Sequence, residues 1–294
     1  EIPAVIFNVQ RTGPSTGMPT RTQQCDIVSC AYASHGDTMH VLLFPSDPAE
    51  CFDMAVQAFD LAERLQTPIM VLSDLDIGMN DWMVPELEWS DDYIPDRGKV
   101  LGAEELEKME EFYRYLDVDG DGIPYRTLPG VHPKGAYFTR GSGHTKLGAY
   151  TENSDDYQDV VDRLLVKWET TRTLVPEAEV RYSAFNKAAI LTLGSGDGAC
   201  KEALDRLESQ NIGLNYCRVK AFPFTDAVRD FIEKHDVVYV VEQNRDAQLR
   251  TLLINDVDAD QNKQVSLLHY NGMPIHAGFV VEGVLAEIAK GRAA

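Results

Sequence analysis

The sequence predicts an α/β protein in which two parallel-sheet regions are joined by an irregular acidic segment. Short apolar runs alternate with helical stretches in residues 2–73 and again from residue 186 onward. Strands that alternate with helices are typical of parallel sheets. Residues 74–185 are instead acidic, rich in aromatic residues and interrupted by DGDG, LPG and RGSGH. An irregular segment of this length is usually functional or lies at an interface.

The first region opens with the apolar run IPAVIFNV, residues 2–9, which we predict to be a buried strand. The elements expected after it are a helix, a strand, a helix and a strand, in residues 23–34, 40–44, 48–66 and 69–74. The second of these helices has a clear start, because Asp47 precedes Pro48 and Glu50 follows three residues after Asp47, as in a capping box.

The middle and last regions contain further periodic segments. In the acidic middle we predict helices in residues 102–116 and 155–175. In the last region the expected order is strand, helix, strand, helix, strand and a closing helix, in residues 188–195, 198–210, 212–219, 225–235, 237–244 and 277–290.

The formal charge of -20 disfavours binding to nucleic acid or to an anionic membrane. No apolar run reaches membrane-spanning length, so we expect a soluble cytoplasmic protein. The five cysteines include no CxxC pair, which predicts core thiols instead of disulfides or a cluster site. Because residue 1 is Glu and a core strand follows at once, we expect further sequence upstream or on another chain.

The first candidate site is the loop QRTGPSTGMPTR, which follows the first strand. Arg11 can grip a carboxylate or a phosphate with two hydrogen bonds, and Thr12 adds a hydroxyl donor beside it. The helix predicted near Gln23 would point its positive end at the same place. The pattern predicts an anion site, and a purely structural loop is an equal alternative.

Three other motifs are weaker candidates. In DVDGDG, Asp117, Asp119 and Asp121 match the first half of an EF-hand loop, but Leu128 stands where that loop needs a glutamate, so an acidic turn is the alternative to a metal site. In LGSGDGAC, Gly194, Gly196 and Ala199 fit a dinucleotide fingerprint, although Asp197 opposes a phosphate and tight packing explains the glycines equally well.

The last of these motifs is RGSGH, residues 140–144. His144 could serve acid–base chemistry near neutral pH, and Arg140 and Lys146 could meet a substrate or a coenzyme phosphate. No acidic partner follows at a fixed spacing, so an interface loop is the alternative. His35 is a similar and weaker candidate.

Six strings together resemble a known family. In order they are VQRTGPSTGMPT, DGIPYRTLPG, GAYFTRGSGH, LGSGDGACKEAL, RVKAFPF and VVEQNRDAQL. They resemble the α subunit of 2-oxoacid:ferredoxin oxidoreductases, and most of all the 2-oxoglutarate type. The resemblance implies that residues 1–73 are the second half of a thiamine-diphosphate pyrimidine-binding domain, 74–185 a connector with interface loops, and 186–294 a transketolase-C-terminal-like domain.

The resemblance also implies the chemistry. Enzymes of this family oxidatively decarboxylate a 2-oxoacid with coenzyme A, which gives an acyl-CoA, carbon dioxide and reduced ferredoxin. They use thiamine diphosphate with Mg²⁺ and a [4Fe-4S] cluster, which the β subunit mainly holds. Arg11 maps onto the arginine that approaches the 2-oxoacid carboxylate. From its position beside Arg11, we expect Thr12 to share that contact.

The implied partners follow from what this sequence lacks. The motifs for the cofactor's diphosphate and metal and the cluster cysteines are absent, so we expect this chain alone to be inactive. We expect it to act with the upstream part of the α subunit and with a β subunit on which ferredoxin docks, as a dimer of αβ units. The alternatives are a pyruvate- or branched-chain-specific member, and a noncatalytic acidic interaction or calcium-binding module.

Overall fold

The computed structural model describes residues 1–139, 141–183 and 187–292. They form two compact units. The sheet unit comprises Ala4–Phe59, Pro68–Asp92 and Val175–Ala294, and the acidic unit comprises Glu1–Pro3, Asp60–Thr67 and Tyr93–Leu174. The three domain ranges predicted from the sequence follow family architecture and stay a prediction. Their boundary at residues 185 and 186 lies outside the described residues.

The α/β class is confirmed by the order of elements along the chain. The strands are β1 Ala4–Gln10, β2 Val41–Leu43, β3 Pro68–Asp74, β4 Glu179–Arg181, β5 Ala188–Leu193, β6 Asn215–Val219, β7 Ala221–Phe222, β8 Val237–Glu242 and β9 Gln264–Leu268. The helices are α1 Ile27–Ala31, α2 Pro48–Leu65, α3 Leu75–Met79, α4 Ala103–Lys108, α5 Ser154–Arg172, α6 Gly196–Glu208, α7 Asp226–Lys234, α8 Gln248–Val257 and α9 Ala277–Ala289, with a 3₁₀ turn at Pro133–Gly135.

The strands of the sheet unit form two sheets, with the orders β1-β3-β2-β7 and β4-β6-β5-β8-β9. Both are parallel in their interior, as predicted, and each ends in one antiparallel edge strand, β7 in the first and β4 in the second. The central strand β5 is buried along its whole length, and helices α6 and α9 cover the face that carries Ala188 and Ile190. No described helix is both long and apolar enough to cross a membrane.

Strand β1 differs from the prediction in its burial. All seven of its residues pair in register with β3 on one side, but β1 is the edge of its sheet. Ile6, Phe7 and Val9 are 45%, 53% and 50% exposed. The strand is therefore correctly predicted, and the prediction that it is buried is wrong. An apolar run indicates a strand, but whether that strand is central or at an edge depends on its neighbours in the sheet.

Other segments also depart from the sequence reading. The helix predicted in residues 102–116 ends at Lys108, because Phe112 and Tyr115 turn inward from irregular backbone. The first helix shrinks to the five residues of α1. Helix α8 and strand β9 were not predicted, although the buried Leu249, Leu252 and Leu253 in α8 have helical spacing.

Helix α5 of the acidic unit buries two cations and leaves several apolar residues exposed. Arg163 and Lys167 are buried, and both contact the Glu1 carboxylate, at 2.5 and 3.1 Å. Burial alone would raise the pKa of Glu1, but Lys167 and Arg163 together lower it to about 2. Leu165 and Val166 are instead 51% and 44% exposed. Buried ion pairs therefore hold the helix together with the buried side chain of Trp168.

A second ion-pair cluster ties α2 to the second sheet within the sheet unit. Arg218 on β6 is buried and donates to both oxygens of Glu50, at 2.5 and 3.0 Å. Ser46 donates to the same carboxylate through its backbone and its hydroxyl. Burial opposes ionisation of Glu50, but Arg218 and Ser46 prevail and lower its pKa to about 2. Glu179 and Asp197 lie 3.3 and 3.5 Å from Arg218 Nε, but Glu50 is the bidentate partner whose loss leaves the outer nitrogens of this buried guanidinium uncompensated.

We expect Glu50→Gln to lower the free energy of unfolding by about 3 kcal/mol, because Arg218 loses its bidentate partner. The native pKa of Glu50 lies below the unfolded value, so its contribution is complete above pH 4.5 and is lost as the pH falls toward 2. Urea denaturation of the two proteins between pH 3 and 7 should therefore give a difference that shrinks in acid.

Glu202→Gln serves as the control, since Glu202 forms an exposed pair with Arg206 on α6 and should change the free energy of unfolding by less than about 1 kcal/mol. A Glu50→Gln effect as small as the control, or one that grows in acid, would contradict the assignment.

Candidate functional site

A buried carboxylate organises the carboxyl ends of the strands in the sheet unit. Asp74 ends β3 and is 1% exposed. It accepts hydrogen bonds from Gln24 Nε2 at 3.0 Å and from Ser195 Oγ at 2.6 Å. The backbone N–H groups of Asp76 and Ile77 also donate to it. The carboxylate thus joins the end of the opening loop to the turn between β5 and α6.

The opening loop is held closed by its own backbone. Thr12 N donates to Arg21 O at 2.8 Å, and Met18 N donates to Thr12 O at 3.2 Å. The Thr12 hydroxyl is buried and donates toward the carbonyls of Arg21 and Thr22. Gly17 has φ +49°, and a Cβ there would lie 2.0 Å from Thr12 O. The loop is therefore a compact turn, and glycine is required at its tightest point.

The loops that follow β8 and β9 brace this turn. Gln24 N donates to Gln243 O at 2.8 Å, directly after β8. Thr22 N donates to Gly272 O at 3.1 Å, after β9. Because these strands are parallel within their sheet, their carboxyl ends meet at one edge. The opening loop is therefore positioned by both sheets.

A cavity of about 600 Å³ lies at this edge. Its lining comes from the ends of β1, β8 and β9 and is polar for the most part: Asn8, Val9, Arg11, Thr12, Gly13, Pro14, Ser15, Gln23, Cys25, Asp26, Asn244, Arg245, Asp246, Gln248 and Tyr270. Its volume falls within the range of small-molecule sites. The cavity is thus large enough for an organic acid.

Arg11 lies on the wall of this cavity with its side chain exposed. Its carbonyl accepts a hydrogen bond from Cys25 Sγ at 3.4 Å, which ties its backbone to the next segment. Within residues 1–139, 141–183 and 187–292, no ion pair of 4 Å or less involves Arg11. A guanidinium without an acidic partner at a cavity wall is able to bind a carboxylate.

Two details of the predicted loop site need correction or refinement. The predicted helix begins at Ile27, directly after the acidic Asp26, and not near Gln23; its predicted start is wrong, and a contribution of its positive end to the loop site stays a prediction. Thr12 lines the cavity, but its hydroxyl proton is used within the loop. A direct substrate contact by Thr12 stays a prediction, and its observed role is to brace the loop.

The acidic loop closes around a lysine. Carboxylate oxygens of Asp117, Asp119 and Asp121 lie within 4.8 Å of one another. Lys99 Nζ is 2.6 Å from Asp119 Oδ1 and 2.7 Å from Asp121 Oδ1, and it also donates to Ile123 O. A divalent ion would have to displace this ammonium group. Metal binding by the three aspartates stays a prediction.

The glycine-rich turn after β5 is explained by packing. Gly194 has φ +57°, and a Cβ there would lie 2.7 Å from Gln24 Nε2. A Cβ at Gly196 would lie 2.6 Å from Thr192 Oγ1. Asp197 pairs with Lys201 at 2.7 Å and accepts a hydrogen bond from the Tyr216 hydroxyl. This geometry agrees with the packing alternative to nucleotide binding.

The RGSGH motif lies in the acidic unit. Arg140 is outside the described residues. His144 stacks on Tyr115 with ring centroids 3.9 Å apart, and its Nδ1 is 3.1 Å from Thr145 O. Since a carbonyl only accepts, Nδ1 carries the proton in that contact. The predicted roles of His144, Lys146 and His35 near a reaction centre stay predictions.

The sequence reading missed the far wall of the cavity. Asn244, Arg245 and Tyr270 reach it from loops after β8 and β9. The strand VVYVVEQN was identified, and a polar cluster directly after a buried parallel strand was the available signal. Cys25, Cys30 and Cys51 are only partly buried, whereas Cys200 and Cys217 are core thiols as predicted.

Comparison with known proteins gives a consistent picture. Residues 1–110 match the family model described as "Pyruvate flavodoxin/ferredoxin oxidoreductase, thiamine diP-bdg". The α subunit of a 2-oxoacid:ferredoxin oxidoreductase from Saccharolobus solfataricus is 28% identical over 99% of this chain and 46% of its own length. The chain is related to the α subunits of 2-oxoacid:ferredoxin oxidoreductases. It spans about half the length of these relatives.

Two further matches bear on the type and the fold. A 2-oxoglutarate synthase subunit KorA from Archaeoglobus fulgidus is 31% identical over 83% of this chain and 61% of its own length. The solved 2-oxoglutarate:ferredoxin oxidoreductase from Magnetococcus marinus superposes with a TM-score of 0.85 at 25% identity, over 97% of this chain and 49% of that one. Its bound molecules are 2-oxoglutarate, coenzyme A and succinyl-CoA.

A more distant match supports the fold alone. A split-gene transketolase superposes with a TM-score of 0.50 at 11% identity, over 97% of this chain and 66% of that one. The predicted relation to thiamine-diphosphate and transketolase-like domains is thereby confirmed at the level of fold.

The lysine in the acidic loop yields a test. We expect Lys99→Met to bind Ca²⁺ at least about tenfold more tightly than the wild type, because three carboxylates then converge without an internal cation. Thermal unfolding with and without Ca²⁺ measures this, since a ligand at ten times its dissociation constant stabilises the folded state by about 1.4 kcal/mol. Lys146→Met, on an exposed side chain of the same unit, is the control. If Ca²⁺ stabilised the wild type, Lys99→Met and Lys146→Met equally, the idea that the Lys99 ammonium group occupies the place of a metal ion would be refuted.

Proposed function

We propose that this chain is the substrate-orienting part of a 2-oxoacid:ferredoxin oxidoreductase. The reaction is oxidative decarboxylation of a 2-oxoacid with coenzyme A, which gives acyl-CoA, carbon dioxide and reduced ferredoxin. The observation that carries the proposal is Arg11, on a braced loop at the carboxyl edge of a parallel sheet, facing a cavity of about 600 Å³. 2-Oxoglutarate is the preferred substrate, in keeping with the ligands of the Magnetococcus marinus enzyme.

Arg11 supplies position and orientation. A planar guanidinium binds a carboxylate through two parallel hydrogen bonds, which fixes the direction in which the keto carbon points. Holding reactants in such a geometry is a large part of what an enzyme contributes. An arginine that held the departing carboxylate too strongly would oppose its loss, so its effect falls on orientation more than on stabilisation.

The described residues of this chain do not fit the diphosphate and Mg²⁺ end of thiamine diphosphate. Among residues 1–139, 141–183 and 187–292, only one cluster of three or more His, Cys, Asp or Glu side chains is compact enough to share a metal ion. It consists of Asp117, Asp119 and Asp121. Lys99 lies between two of those side chains. We therefore assign no reaction step to a cofactor held by this chain, and the proposal gives the cofactor and a [4Fe-4S] cluster to the β subunit.

The open edge of β1 supports a larger assembly. Its apolar side chains are exposed on both faces of the sheet, since Ile6 and Phe7 alternate in direction along the strand. The proposal places the rest of the pyrimidine-binding domain at this edge and a β subunit, with ferredoxin docked on it, elsewhere in a dimer of αβ units. A cytoplasmic location remains a prediction. Among the described residues of the acidic unit, Lys99 stands against the calcium-module alternative, because it pairs with Asp119 and Asp121 where an ion would bind.

The test is the anaerobic activity of the complete complex, followed by CoA-dependent viologen reduction with several 2-oxoacids. We expect Arg11→Ala to lower kcat/KM by about 100-fold or more, because the substrate loses its orienting contact. Arg21→Ala is the matched control, since Arg21 belongs to the same loop and contacts Thr20 without lining the cavity.

Size-exclusion chromatography would confirm that each complex stays assembled. An assembled wild-type complex without 2-oxoacid activity would refute the proposed reaction. Equal losses of kcat/KM in the Arg11 and Arg21 variants would refute the specific role of Arg11 and would leave the proposed reaction standing.

A further inference from the structure

We propose that Arg245 binds the second carboxylate of a dicarboxylic 2-oxoacid, in the same cavity where Arg11 meets the first. This inference rests on the proposed function and deepens it, because it names a residue that selects between substrates. The cavity joins the two arginines: Arg11 comes from the loop after β1, and Arg245 comes from the loop after β8.

The cavity wall carries two cationic side chains that can contact an anionic ligand. Of the described lining residues, Arg11 and Arg245 are cationic and Asp26 and Asp246 are anionic. Asp26 accepts hydrogen bonds from Asn8 Nδ2 at 3.1 Å and from Cys25 Sγ at 3.7 Å. Asp246 pairs with its neighbour Arg245. A ligand therefore meets one unpaired guanidinium and a second that is shared with an acid.

The pairing of Arg245 with Asp246 orients the guanidinium and occupies only some of its N–H donors. Nε donates to Oδ1 at 2.7 Å and Nη2 donates to Oδ2 at 3.1 Å. Among the described residues, Nη1 donates to none, so its two hydrogens remain for a ligand. The two side chains are 72% and 59% exposed. Ion pairs this exposed are weak, and a ligand carboxylate can compete for the arginine.

Two neutral residues, Asn244 and Tyr270, complete the far wall. Asn244 is fixed by hydrogen bonds from its Nδ2 to Gln24 O at 3.1 Å and to Glu242 Oε2 at 2.7 Å, and its Oδ1 accepts from Gln248 N. Residues 244–246 therefore begin from a rigid anchor. Tyr270 lines the cavity beside this loop and brings a phenolic hydroxyl. A guanidinium presented from a fixed loop discriminates between a carboxylate and a methyl group at the far end of a substrate.

The experiment uses the complete assembled complex and two five-carbon substrates, 2-oxoglutarate and 2-oxopentanoate, which differ only in the second carboxylate. We expect Arg245→Gln to raise the KM for 2-oxoglutarate about tenfold, with kcat nearly unchanged. The KM for 2-oxopentanoate should stay within about twofold. Asp246→Asn should have the opposite effect and lower the KM for 2-oxoglutarate, because Arg245 loses its competing acid.

Arg229→Gln is the matched control. Arg229 also pairs with the acid that follows it, Asp230, but it lies on α7 and does not line the cavity. Equal KM changes for both substrates, or none, would overturn the inference. A rise in the KM for coenzyme A alone would assign Arg245 to a phosphate and would overturn it too.

The failure of this inference is distinguishable from failure of the proposed function. A wild-type complex without any 2-oxoacid activity would overturn both. A wild-type complex that is active with 2-oxopentanoate and shows no preference for 2-oxoglutarate would overturn the role of Arg245 and the proposed substrate preference, and would leave the proposed reaction standing.

Discussion

The carboxylate of Asp74 is the constraint on which the candidate site depends. A buried charge must be matched by hydrogen bonds, since leaving it unmatched costs several kcal/mol. Gln24, Ser195 and two backbone N–H groups supply them. Gln243 Nε2 then donates to Ser195 Oγ at 2.8 Å. The hydrogen bonds that satisfy Asp74 therefore fix the position of Gln24 at the end of the opening loop. Through Ser195 they also fix Gln243, which precedes the residues of the far cavity wall.

The sequence predicts best what local pattern determines. Buried strands such as β5 and β8 are continuous apolar runs, and Arg11 stands in a compact string directly after a strand, so both were identified. The far wall was not, because Asn244 and Gln24 are 220 residues apart in the chain and meet only in the fold. The prediction that β1 is buried failed for a related reason, since the apolar composition of a strand does not tell a central strand from an edge strand.

The acidic unit shows another limit of pattern reading. Periodicity assumes that apolar residues face inward, and α5 departs from this by burying Arg163 and Lys167 against Glu1, next to the buried Trp168. Net charge is equally uninformative here, since a chain of formal charge -20 places its cations at specific internal points. In the same way Lys99 fills a loop whose sequence resembles half of a metal site.

The exposed edge of β1 bears on how the protein can be handled. The edge of β1 that does not pair with β3 offers a row of backbone donors and acceptors to any other extended chain. Such an edge favours pairing between two copies in the same state, which their mutual charge repulsion opposes. Synthesis of this chain together with whatever covers β1 therefore protects it, and the order in which the pieces are made becomes a determinant of yield.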